Sequence, residues 1–126
     1  MKIIFLGVFM NNLDEKMIVK ELKIRNLIKI SSSASLIFGE FFDKGADIIK
    51  IIKSYLENLG SLNDNLVVDS TIQRELEIAN LISFAKNGVF METNPKQAYV
   101  IRKRLYDYTN DSIQEYENTC NNTKIM

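Results

Sequence analysis

Lys96, Tyr99, Lys103 and Tyr106 follow one another at intervals of three and four residues. That spacing brings side chains onto one face of an α-helix. On a wheel of about 100° per residue they lie between about 140° and 220° from Ile101, with Arg102 at the border. Alternating ammonium groups and phenol rings can do two kinds of work. They can hold phosphates and stack bases, or they can anchor a protein interface, where Tyr and Arg dominate the binding energy. The bland reading is a solvated helix face, with the rings half-buried and their hydroxyls wet. The denser-looking triplet Arg102-Lys103-Arg104 carries less information, because it spreads over roughly 200° of the helix and no flat partner meets all of it.

Other chemistry is limited by what the chain lacks. It has no histidine and one cysteine, Cys120. Ser-His-Asp and Cys-His arrangements are therefore excluded, and a zinc site cannot be assembled. Cys120 has no evident activating neighbour and reads as an inert thiol. Gly39 and Gly45 are not followed by the Gly-Lys-Ser/Thr of a phosphate loop, and there is no dinucleotide fingerprint or EF-hand. Asp14, Glu15, Glu75 and Glu77 fall in first turns of expected helices, where the helix dipole accounts for them. An enzyme built on carboxylates, Lys or Tyr would need a closed pocket with two facing acids. No cofactor and no metal are expected.

Sixteen basic and sixteen acidic residues cancel, so no global field steers the chain toward a polyanion or an anionic membrane. At 126 residues it suits one domain. The start, MKIIFLGVFMNNLDEK, is followed by no small-residue cleavage site, and no apolar run reaches the ~18–20 residues of a membrane span. A cytoplasmic protein is the expectation. The Lys, Ile and Asn bias and the small size suit a phage or plasmid origin.

The elements that must position these residues read as helices. Residues 2–9 form a short strand or arm. Asn12 and Glu15 have the form of a capping box opening a helix from Leu13 to Ile30, with apolar stripes at Met17, Ile24 and Ile28 and at Ile18 and Leu22. Ser31-Ser32-Ser33-Ala34-Ser35 breaks or kinks it, because serine competes for nearby backbone groups, and a short helix covers Leu36 to Phe42. Ile48, Ile52, Tyr55, Leu56 and Leu59 mark the next helix, stopped by Gly60. After the turn SLNDN and Leu66-Val67-Val68, Ser70 and Gln73 cap a helix from Thr71 to Lys86, ended by Asn87-Gly88. It is apolar nearly all round, as in the middle of a bundle. Its opening Gln73-Arg74-Glu75-Leu76 suits a helix-turn-helix, but the helical period runs on through Ala79-Asn80-Leu81-Ile82 without a turn glycine.

The last helix has the strongest start: Asn94 at the cap, Pro95 at the first helical position and Gln97 completing the box. Its core face is Ala98, Ile101, Leu105, Tyr108, Ser112 and Tyr116. Asp107, Asp111 and Glu115, four residues apart, place like charges side by side and oppose the helix dipole. After Glu117 the period stops. The expected architecture is an all-α, small antiparallel bundle of four to five helices, residues 1–117, with a disordered tail at 118–126.

These readings lead to a non-catalytic protein that binds another protein stoichiometrically, as an inhibitor, immunity factor, adaptor or assembly subunit. Its candidate contact residues are Lys96, Tyr99, Arg102, Lys103 and Tyr106. Self-association would use the same surface. The alternative is a nucleic-acid-binding subunit using Lys96, Tyr99, Arg102, Lys103 and Arg104.

Overall fold

The computed structural model describes the backbone of residues 12–58 and 69–125 and the side chains of 17–58 and 70–118. Among these residues there is no strand, and the chain is a small all-α bundle. Its elements are α1 (Asn12–Ser32), α2 (Ala34–Phe38), a 3₁₀ turn (Gly39–Phe41), α3 (Phe42–Glu57), α4 (Asp69–Ala85), α5 (Gly88–Thr93) and α6 (Pro95–Ile125). The expected arm at residues 2–9, the stop at Gly60 and the turn before Leu66 lie outside the described residues.

Successive long helices alternate in direction, but α1 and α4 lie side by side and run the same way. Lys23 shares a cavity with Thr71 and Arg74, Asn26 bonds to Glu75, and Lys29 faces Asn80 to Lys86. α6 runs against α4 and along α3, since Tyr108 meets Glu75 while Phe41 meets Tyr99 and Tyr55 meets Tyr116. The core they enclose is built from Leu27, Ile30, Phe38, Ile52, Ile82 and Leu105, each almost wholly buried.

The serine-rich run does break the helix, at Ser33. The short helix that follows ends earlier than expected. Gly39 adopts φ 53° and ψ −118°, a conformation costly for any residue with a Cβ, so α2 stops at Phe38 and α3 restarts at Phe42. Gly45 has a packing reason instead: a Cβ there would lie 2.9 Å from Cδ2 of the fully buried Phe38 ring. Neither glycine belongs to a phosphate loop.

α4 passes through Ala79 to Ile82 unbroken, which removes the turn a helix-turn-helix requires. Ser70 lies inside it rather than at its cap. Asn87-Gly88 does more than end α4. The Asn87 side chain accepts from Phe90 N at 3.1 Å and so caps α5, a short helix that the sequence pattern does not announce. α6 starts at Pro95 as expected, but the Asn94 amide Nδ2 turns back to donate to Phe90 O at 3.0 Å and fastens the end of α5. The helical backbone of α6 continues past Glu117 to Ile125. Residues 118–125 contain neither Gly nor Pro, so nothing interrupts the ladder.

The apolar stripes expected on the first helix also need correction. Met17 and Ile28 are about half exposed, while Val19, Lys23, Asn26, Leu27 and Ile30 are buried. The inward face of α1 is defined by polar residues as much as apolar ones.

Candidate functional site

The five candidate residues on α6 do not share one open strip. Lys96 and Lys103 are exposed, Tyr99 is about half exposed, and Arg102 and Tyr106 are half-buried. Phe41, at the end of the 3₁₀ turn, comes between the two tyrosines. Its ring centroid lies 5.4 Å from that of Tyr99 and 5.7 Å from that of Tyr106, nearly parallel to the latter at 27°. Phe38 meets Tyr106 edge-on at 6.0 Å. Tyr106 thus spends much of its ring on its own protein. Lys103 Nζ donates to Asp107 Oδ2 at 3.2 Å one turn along. Arg102 folds over Gly39, whose missing Cβ makes the room: a Cβ there would collide with Arg102 Nε. Arg104 is exposed.

Lys96 belongs to a different feature. With Gln97 it forms the rim of a groove of about 540 Å³ walled by Leu81, Phe84, Phe90, Val100 and Ile101. The groove lies where α5 packs against both the end of α4 and the start of α6, and the Phe84 and Phe90 rings pair at 5.0 Å on one wall. Phe84 is 46 % exposed and Val100 52 %. A contiguous apolar surface of this kind is the usual mark of an interaction site. Tyr99 and Val89 are exposed as well, but neither lines the groove.

Further along the same seam between α4 and α6 is a polar centre that the sequence pattern leaves unmarked. Glu75 is 1 % exposed, and its Oε1 accepts from Tyr108 Oη at 2.6 Å and from Asn26 Nδ2 at 3.3 Å. Lys23, also buried, donates to Glu115, and Arg74 pairs with Asp111 at 3.5 Å. Lys23, Arg74, Glu75, Tyr108, Asp111 and Glu115 line a cavity of about 130 Å³ with Thr71 and Ser112. Burial raises the Glu75 carboxyl above its ordinary range, against the opposing pull of the Tyr108 hydrogen bond and the Lys23 charge. Burial likewise raises the Tyr108 phenol, helped by the Glu75 charge. Tyr55 is pushed up to about 12, by burial first and then by the charges of Glu115 and Glu75.

The helix dipole does not account for Glu75, and that expectation is corrected. Glu75 lies three and seven residues before the buried Ile78 and Ile82, on the same inward stripe. That register was the available signal. The acids of α6 are also less frustrated than their spacing implied, since Asp107, Asp111 and Glu115 pair with Lys103, Arg74 and Lys23 respectively. The cavity gathers acids, as a carboxylate enzyme would need. Each one, however, is already held by a neighbour on a fixed helix.

Among the described residues no three Asp, Glu or Cys side chains gather closely enough to hold a metal ion, and no helix is long and apolar enough to cross a membrane. No protein-family model matches the chain, and neither the curated proteins nor the solved structures contain a significant match to it.

Proposed function

We propose that this protein acts by stoichiometric binding of another protein, without catalysis, and that the groove between α4, α5 and the start of α6 receives it. The observation carrying this reading is the groove itself: about 540 Å³ walled by Leu81, Phe84, Phe90, Val100 and Ile101, with two walls half exposed. The occupant is a protein segment presenting bulky apolar side chains, with an acidic residue placed to meet Lys96 on the rim. Inhibitor, immunity factor, adaptor and assembly subunit are all roles such a surface can serve, and a second copy of the chain is the simplest occupant.

The basic and aromatic strip supports the nucleic-acid alternative less well. Tyr106 is stacked internally and Lys103 is paired with Asp107, so neither is free to serve a polynucleotide at low cost.

The test compares wild type with Val100→Glu and Phe84→Ser. Multi-angle light scattering measures self-association, and affinity capture from the native host measures partner binding. An exposed control, Arg25→Glu, is carried in parallel. A partner, or a dimer, that is lost with both groove variants and kept by the control supports the reading. Undiminished binding by both groove variants sinks it, as does a protein that stays monomeric and captures nothing. Mobility shifts with DNA and RNA at low salt decide the nucleic-acid alternative.

A further inference from the structure

A second cavity, of about 350 Å³, opens on the other side of α5. Arg102 lines it together with Lys86, Ser35 and Glu92, and Leu36, Ala85 and Met91 supply an apolar part of the wall. The position of the Arg102 guanidinium is built rather than accidental. Gly39 takes a left-handed conformation and leaves out the one atom that would collide with it, since a Cβ would overlap Nε and lie 2.5 Å from Cζ. The Nε atom is thereby closed to solvent, with no acceptor among the described residues. The guanidinium makes no ion pair with a described residue, Glu92 included, although that carboxylate lines the same cavity.

We infer that this cavity is a binding site for a carboxylate carried on a short aliphatic stem, held by the terminal nitrogens of Arg102 with Lys86 and Ser35 beside it. Closure of Nε leaves the two terminal nitrogens as the donors open to an anion, and their planar fork matches a carboxylate. Charge favours a monoanion: Arg102 and Lys86 against Glu92 leave one net positive charge, which a dianionic phosphate would overfill. The apolar wall suits the stem. An acidic side chain of a protein and a free small carboxylic acid share this chemistry.

The experiment titrates the labelled full chain with butyrate, with the peptide acetyl-Ala-Glu-Ala-amide, and with inorganic phosphate. It follows the Arg102 Nε–H resonance and the backbone amides of Ser35, Lys86 and Gly88, with the side-chain resonances of Arg25, Arg74 and Arg104 as internal references. A saturable shift confined to the cavity, with butyrate or the peptide binding more tightly than phosphate, is the expected result. Response to the peptide alone identifies a protein source; response to butyrate identifies a free acid. Arg102→Gln, followed on the backbone amides after its helicity is checked, weakens binding at least ~10-fold. Glu92→Gln tightens it by ~2–5-fold, because a competing exposed charge is removed. The absence of any saturable shift up to ~100 mM ligand overturns the site. Tighter phosphate binding overturns the ligand class, and an unchanged affinity in Arg102→Gln overturns the role of the guanidinium. None of these outcomes depends on whether the apolar groove binds a protein.

Discussion

Tyr108 on α6 donates a 2.6 Å hydrogen bond to the carboxylate of Glu75 on α4, across the centre of the bundle. Both side chains are almost fully buried. Asn26 of α1 joins them by donating to both the side chain and the backbone carbonyl of Glu75. One residue from each of three helices therefore meets at a single carboxyl group. Such a junction stabilises the fold only modestly, because desolvation offsets most of the gain. It penalises any sliding of α1 or α6 along α4, since a shifted register leaves a buried polar group unpaired.

Removing one partner should therefore cost more than changing the charge. Tyr108→Phe leaves the Glu75 carboxyl buried with one fewer donor, and about 1–3 kcal/mol of stability should be lost in urea denaturation at neutral pH. Glu75→Gln keeps an oxygen for the Tyr108 hydroxyl and should be near neutral or mildly stabilising. A larger loss for Glu75→Gln than for Tyr108→Phe would show that the ionised carboxylate, rather than the hydrogen bond, holds the junction.

The raised pKa of Glu75 gives that junction a pH dependence of definite sign. Its folded value lies above the ordinary 4.5, so the folded state binds the proton more tightly than the unfolded state. This contribution to stability is fully present below pH 4.5 and is lost as pH rises through the folded value. Lys23 and Arg74 face the group and limit the loss, with Tyr108 and Asn26 as its hydrogen-bond donors. The stability difference between Glu75→Gln and wild type should grow from acid toward neutral pH; a difference independent of pH would contradict the assignment. Tyr55 behaves alike at the alkaline end, its contribution being lost between its ordinary 10 and about 12, visible as delayed phenolate absorbance.

Gly39→Ala should destabilise by about 1–2 kcal/mol from backbone strain alone, because φ is 53°. Displacement of the Arg102 guanidinium adds to this. In an Arg102→Ala background the same glycine substitution should cost less, since only the backbone part remains. Equal costs in the two backgrounds would mean that Arg102 does not rest on Gly39 in solution.

The groove variants should fold normally. Phe84 and Val100 are about half exposed, so Phe84→Ser and Val100→Glu should change stability by no more than ~1 kcal/mol. Ile82→Ala, at a residue 2 % exposed, should lose about 2–5 kcal/mol. Thermal melts distinguish the two classes, and a groove variant that loses stability like Ile82→Ala would place its side chain in the core.

Local physics alone makes part of this molecule legible in its residues. Pro95 starts α6 because its fixed φ and missing N–H suit the first helical position. Ala98, Ile101, Leu105, Tyr108 and Ser112 are buried together because one helix has one period, whatever it packs against. The absence of histidine excludes Ser-His-Asp and Cys-His chemistry in any fold the chain could adopt.

Features that depend on partners remote in the chain were settled by tertiary packing. No sequence pattern marks Lys23 and Asn26 as inward, and at the level of sequence Glu75 is explained by the helix dipole. Their burial became tolerable only through partners 92, 49 and 33 residues away. The basic strip is a correct statement about one helix and an incomplete one about the molecule. Phe41 and Gly39, from outside α6, take up Tyr106 and Arg102, and α5, which no sequence pattern announces, makes a groove around Lys96. Helical period fixes which side chains share a face, while packing fixes which of them remain available, and it is availability that determines a binding site.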